Sequence, residues 1–102
     1  MDRAAHLRKF ISDKPEDPFP RYALALELKG QGEVAAAATE LETLLAKKPD
    51  YLAAYLMLGL IQQTLGRIAD AKATLQAGQA MARTQGNSHT LGELTGALEQ
   101  LG

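Results

Sequence analysis

A 34-residue repeat restricts the fold of this chain more than any other feature of its sequence. Residues 18–51 align with residues 52–85 without a gap, so that Gly32 falls on Gly66. The other matched pairs include Leu24 and Leu58, Leu26 and Leu60, Ala37 and Ala71, and Leu41 and Leu75. A period of this length, combined with helical spacing of the apolar residues, predicts a stack of helix-turn-helix units.

The same register continues upstream of the first full repeat. Leu7 aligns with Leu41 and, one repeat further along the chain, with Leu75. We therefore interpret residues 2–13 as a lone second helix of a repeat, which covers the N-terminal end of the stack.

Helix boundaries follow from capping residues, prolines and glycines. Asp17 followed by Pro18 is a strong helix start, because aspartate accepts a hydrogen bond from a first-turn amide and proline fits the first helical position. Asp50 is the predicted cap of the helix that opens the second repeat. The candidate caps of the last helix are Asn87, Ser88 and Thr90. The predicted helices cover residues 3–12, 18–29, 33–47, 51 or 52–65, 67–85 and 88–101.

These residues resemble the tetratricopeptide repeat family. In that family a leucine next to a small residue on the first helix, and a small residue before a large apolar one on the second, let two antiparallel helices pack closely. The matching residues are Leu24-Ala25 with Ala37 and Leu41, and Tyr55, Leu58-Gly59, Ala71 and Leu75. The departures are Arg21 in the slot of Tyr55, Leu44 and Gly78 where the family prefers alanine, and Arg83 in place of a terminal proline.

The resemblance implies an all-α fold, a short right-handed helix-turn-helix solenoid that forms a single domain over residues 1–102. It divides the chain into an N-terminal half-repeat helix (2–13), repeat 1 (18–51), repeat 2 (52–85) and a C-terminal capping helix (88–101). The motif is specific for the fold but not for a function, because function in a repeat array depends on the surface residues of each copy.

Composition argues against several classes of function. The formal net charge is −1, so the chain lacks the basic excess that neutralises a phosphate backbone, and we expect no nucleic-acid binding. The absence of cysteine excludes disulfides and thiolate metal sites. No secretory signal is recognisable, and the longest uncharged run, residues 51–66, is shorter than a membrane span. We therefore expect a cytoplasmic protein.

No constellation of residues predicts catalysis. The two histidines, His6 and His89, lie on opposite terminal helices, which argues against a metal site. Glu40 and Glu42 are two residues apart, so on a helix they point to different faces and do not form an acid-base pair. We therefore predict a non-catalytic protein that has no cofactor.

The first helix of each repeat has a second apolar face once its core residues are buried. The residues of this face are Phe19, Tyr22 and Leu26 on the first copy and Ala53, Leu56 and Leu60 on the second, with Lys29 and Gln63 at the rim. In the family this face lines a concave groove. The Lys and Asn residues with which some members capture acidic C-terminal peptides are absent, so the resemblance implies an apolar groove. The alternative is ordinary core, covered by a terminal helix or by the short superhelix itself.

Two functions remain open from the sequence. The first is an interaction module that binds a partner helix or an extended peptide in the apolar groove. The second is a self-associating structural domain, in which two chains bury the same groove against each other around a two-fold axis. The identity of a partner is not encoded in any feature of the sequence.

Overall fold

The computed structural model describes residues 2–102, and in that range it contains six α-helices and no β-strand. The helices are α1 (Arg3–Asp13), α2 (Pro18–Gly30), α3 (Val34–Lys47), α4 (Ala53–Thr64), α5 (Ile68–Gln85) and α6 (Ser88–Leu101). The predicted all-α class is confirmed. Residue 1, which the predicted domain includes, lies outside the described residues.

Capping interactions explain where several helices begin and end. The Asp2 side chain accepts a hydrogen bond from the backbone amide of Ala5 at 2.8 Å and so caps α1. Asp17 accepts from the amide of Phe19 at 3.1 Å, with proline at the first position of α2, as the sequence predicted. Gly86 ends α5 in the left-handed conformation, with a φ of 68°.

One predicted cap is wrong, and one open choice is resolved. Asp50 does not cap α4, because the chain makes a further turn and the N-cap is Leu52, which makes no side-chain capping hydrogen bond. The amide of Tyr55 donates instead to the Leu52 carbonyl at 3.2 Å. Of the three candidates before α6, the cap is Asn87, whose side chain accepts from the amide of Thr90 at 3.0 Å.

The α2–α3 and α4–α5 hairpins turn in the same way. Gly32 and Gly66 have φ angles of 83° and 78°, a left-handed conformation that glycine adopts at little cost. The residue after each glycine donates its amide back to the preceding helix at 2.8 Å, from Glu33 to Leu28 and from Arg67 to Gln62. This Schellman closure is the physical reason for a glycine at the same point of both repeats.

The helices form two compact units, Met1–Pro49 and Asp50–Gly102. In the first unit α2 packs against both α1 and α3. In the second unit α5 packs against α4 and α6, and α6 also contacts α4. The largest fully buried side chains are Leu24, Leu41 and Leu44 in the first unit and Ile61, Leu75 and Leu94 in the second. Each unit is therefore a helical hairpin with one added terminal helix.

Glycines bring the helices of the second unit close together. A Cβ atom on Gly59 would lie 2.5 Å from Leu75 Cδ2, and one on Gly78 would lie 2.6 Å from Tyr55 Cβ. The same atom on Gly78 would lie 3.0 Å from Leu94 Cδ2 on α6. Gly78, where the family prefers alanine, is therefore explained by its close contacts with Tyr55 and Leu94.

An ion pair links the helices of the first hairpin. Arg21 on α2 donates from Nη1 to Oε1 of Glu40 on α3 at 2.9 Å. The two side chains are 16% and 25% exposed, so the pair is largely shielded from water. Arg21 stands in the slot that Tyr55 fills in the second hairpin, and its charge is matched by this partner.

Candidate functional site

The predicted surface residues of α2 line a pocket that lies within the first unit. This pocket has a volume of about 320 Å³ and is lined by Arg3, Phe19, Tyr22, Ala23, Leu26 and Glu27. Phe19 is 63% exposed and Leu26 is 40% exposed, so both apolar side chains lie in solvent at its edge. The sequence-based alternative that these side chains are ordinary core therefore does not hold for Phe19 and Leu26. We call Phe19, Tyr22 and Leu26 the α2 surface.

A loose ion pair borders the α2 surface. Arg3 Nε of α1 lies 3.7 Å from Glu27 Oε2 of α2, and the two side chains are 67% and 30% exposed. An exposed pair of this kind stabilises the fold little, so both charges can exchange partners with a ligand. Sequence reasoning singled out neither Arg3 nor Glu27 as a site residue. Residues this far apart in sequence are brought together only by the packing of α1 on α2.

The phenol of Tyr22 supplies a neutral polar group in the pocket. Tyr22 is half-buried, and desolvation raises the pKa of its hydroxyl above the usual value of 10.0. The group therefore stays protonated throughout the neutral range and can both donate and accept a hydrogen bond. Lys29, predicted at the rim, is exposed in the last turn of α2 and lies outside the set that lines the pocket.

The predicted residues of the second repeat lie on α4, in the second unit. Ala53 and Leu60 are exposed, the latter by 37%, whereas Leu56 and Gln63 are half-buried. Their neighbour Leu58 is buried at 4% exposure. The helix thus has one buried face and one face that reaches solvent, with the predicted residues at or near the latter.

Within residues 2–102 no group of three or more His, Asp or Glu side chains is placed to hold a metal ion. His6 is exposed on α1, and His89 is exposed on α6, where its Nε2 lies 3.6 Å from Glu93 Oε1. Burial, and then the nearby charge of Asp50, raise the pKa of the Tyr55 phenol. No helix in the same range has both the length and the apolarity needed to cross a bilayer.

Comparisons with known proteins identify the family. Residues 28–92, more than half of the chain, match the tetratricopeptide repeat model. The solution structure of a tetratricopeptide repeat domain protein from Salinibacter ruber is 38% identical, covers 86% of this chain and 89% of that chain, and has a TM-score of 0.81. A crystal structure of such a domain from the same organism is 36% identical, covers 83% of this chain and 94% of that chain, and has a TM-score of 0.79. No curated protein matches the chain.

A more distant structure shares the fold alone. The TPR2B domain of yeast Sti1, in its complex with pHsp70, has a TM-score of 0.90 at 19% identity, over 96% of this chain and 78% of that chain. The resemblance read from the 34-residue register is thus confirmed by the family model and by the Salinibacter ruber structures. The chain belongs to the tetratricopeptide repeat family.

Proposed function

We propose that this chain is a non-catalytic interaction module that binds a partner helix or an extended peptide through the α2 surface. The tetratricopeptide repeat fold is a protein-interaction module, and the family is typically non-catalytic. One observation carries the finer proposal. Two exposed apolar side chains, Phe19 and Leu26, border a pocket of about 320 Å³ that also contains a hydroxyl and an ion pair.

This combination matches what a peptide needs from its binding surface. Phe19 and Leu26 offer apolar area that a side chain of the ligand can cover, which supplies the favourable free energy. The charged groups of Arg3 and Glu27 offer hydrogen bonds to the ligand backbone or to its polar side chains. A few polar groups beside an apolar anchor fix the orientation of a ligand.

The remaining predicted residues extend the same proposal. Ala53, Leu56, Leu60 and Gln63 provide a second apolar face on α4, and Lys29 provides a positive charge at the end of α2. We assign these residues to contacts with the same kind of ligand. The proposal places the protein in the cytoplasm and requires no cofactor.

Peptide selection followed by NMR mapping tests the proposal. Helical and extended peptides are selected from a displayed library on the wild-type chain and then titrated into isotope-labelled protein. We expect the largest chemical-shift changes at Phe19, Tyr22 and Leu26. Leu26→Lys should lose the peptide while keeping its melting temperature, whereas Ile68→Lys, a matched change at a side chain 39% exposed on α5, should bind normally.

Two outcomes would overturn the proposed ligand class. If selected peptides shift residues away from α2, or bind Leu26→Lys as tightly as wild type, the α2 surface is not the binding site. If no peptide is selected, yet the wild type dimerises and Leu26→Lys is monomeric, the surface serves two-fold self-association instead.

A further inference from the structure

The second helices of both repeats bury one stripe of residues. In α3 the stripe is Ala37, Leu41 and Leu44, each at most 1% exposed. In α5 the equivalent residues are Ala71, Leu75 and Gly78, all buried. Gly78 lies against Tyr55 and Leu75 lies against Gly59, so the α5 stripe faces the first helix of its own hairpin. A second helix in this fold therefore uses the stripe to pack on a first helix.

The equivalent stripe on α1 is open except at Leu7, which is buried at 8% exposure. The 34-residue offset places Arg3, Leu7 and Phe10 along it. His6 lies one turn before Phe10 and lines the same pocket, and we call these four residues the α1 stripe. Arg3 and His6 are exposed, and Phe10 is 59% exposed where its counterpart Leu44 is 1% exposed. The four side chains line an open pocket of about 600 Å³. No helix among residues 2–102 covers it.

The side chains of the α1 stripe define what can cover it. Arg3 replaces a small alanine, and Phe10 replaces Leu44 or Gly78, so the facing helix needs small residues that leave room for this bulk. Of the basic residues of α1, Arg3 lies on the stripe and Lys9 lies next to Phe10 in sequence, while Arg8 lies on the opposite side of the helix. The complementary surface is therefore a helix that is acidic and has small residues one turn apart.

Such a helix is present in this chain. On α6, Gly92 and Gly96 lie one turn apart, on the side away from the buried Leu94, and nothing lies within 4 Å of the position of a Cβ on either glycine. Glu93 and Glu99 flank this notch, and α6 contains no Lys or Arg. Neither glycine has a positive φ, and glycine inside a helix is less favourable than alanine, so local structure does not account for them.

We propose that the α1 stripe of one copy docks on the outer face of α6 of a second copy. Phe10 lies between Gly92 and Gly96 in this arrangement. Arg3 and Lys9 of α1 lie beside Glu93 and Glu99. The contact joins two different surfaces, so every dimer keeps one free surface of each kind and association continues head to tail. The docking does not use Phe19, Tyr22 or Leu26, although Arg3 borders both surfaces. Substitutions at Phe10 and at Leu26 therefore test the two proposals separately.

Sedimentation equilibrium with matched variants tests the docking. Phe10→Glu removes the aromatic side chain and repels the acidic notch, while the double variant Gly92→Gln, Gly96→Gln fills the notch with good helix formers. Both variants should be monomeric where the wild type associates, and wild-type association should weaken as salt rises. Ile68→Glu, the same kind of change at an exposed residue of α5, should associate like the wild type. The glutamine variant should also melt at a higher temperature, because glutamine is a better helix former than glycine. A loss of association would then not be a result of lower stability.

Mixing the two monomeric variants distinguishes head-to-tail docking from a two-fold dimer. The Phe10→Glu chain keeps an intact α6, and the double glutamine chain keeps an intact α1 stripe, so their mixture should form a 1:1 heterodimer and nothing larger. A wild-type chain that stays monomeric up to about 1 mM would overturn the proposal. So would a mixture that stays monomeric, or association that is lost in Leu26→Lys but retained in Phe10→Glu.

Discussion

The two helical hairpins share one register but close their helix crossings with different side chains. In the first, Arg21 of α2 pairs with Glu40 of α3 at 2.9 Å. In the second, the slot of Arg21 holds Tyr55, whose Cβ lies 2.6 Å from where Gly78 would carry its own. The bulky ring of Tyr55 is thus accommodated by a glycine, and the charge of Arg21 is paired with an opposite charge.

This difference shows which parts of a repeat can vary independently. The turn glycines are the same in both hairpins, because the left-handed backbone there restricts the residue whatever packs nearby. Residues at the crossing change in compensated pairs, since a packed interior requires complementary volumes and paired charges but not particular residues. The departures from the family pattern at Arg21 and Gly78 are therefore each explained by a partner inside the same hairpin.

Lysine substitutions at leucines two residues apart should give the largest contrast in stability. Leu24 and Leu58 are 1% and 4% exposed, so lysine at either position buries a charge and should lower the free energy of unfolding by more than about 4 kcal/mol. Leu26 and Leu60 are 40% and 37% exposed, so lysine there should cost about 0.5 kcal/mol or less. Thermal melts followed by circular dichroism measure both. Equal destabilisation of Leu58→Lys and Leu60→Lys would show that α4 has no solvent-facing apolar side.

Alanine at the close-contact glycine should test how tightly the helices of the second hairpin cross. Gly78→Ala forces a Cβ atom against Tyr55, which cannot move away without shifting α4, so we expect a loss of about 1–3 kcal/mol. Gly92→Ala on the open face of α6 is the control and should raise stability by up to about 1 kcal/mol. Denaturant titrations of both variants provide the measurement. A gain of stability in Gly78→Ala would mean that the crossing is looser than the contacts indicate.

A buried amide in the second hairpin should be replaceable with a gain of stability. Gln62 is 4% exposed and its Oε1 has no hydrogen-bond partner among residues 2–102, while its counterpart in the first repeat is Leu28, also buried. Gln62→Leu should therefore raise the free energy of unfolding by about 1 kcal/mol, as urea unfolding would measure. The reverse change, Leu28→Gln, should be destabilising. If Gln62→Leu is instead less stable than wild type, the amide has a favourable interaction that its burial hides.

The ion pair of the first hairpin should contribute the smallest of these effects. A double-mutant cycle of Arg21→Ala and Glu40→Gln should give a coupling free energy of about 0.5–1 kcal/mol, decreasing with added salt. The matched control is the pair Lys48 and Glu16, which is longer at 3.8 Å and far more exposed, and whose coupling should be close to zero. Equal couplings in the two cycles would remove the argument that Glu40 compensates for Arg21.

The sequence alone determined the repeat, the helix class and most helix ends. These features depend on local geometry: Gly32 and Gly66 allow the left-handed turn, and Asp17 caps the helix that opens with proline. The helical period also placed Phe19, Tyr22 and Leu26 on one face, since residues three and four apart share a side of a helix. Asp50 shows the limit of local signals, because the same kind of residue does not cap α4 when the chain turns once more before the helix begins.

The tertiary structure alone decided which of these faces are covered. Leu44 and Phe10 occupy the same position of the repeat, yet one is buried and the other is 59% exposed, because burial depends on the helix that packs against a residue. The pairing of Arg3 with Glu27 at the edge of the α2 pocket likewise exists only after α1 packs on α2. The alignment of the repeats shows which residues are equivalent, but it does not show which helices pack against each copy. Those neighbouring helices determine which residues remain exposed for binding.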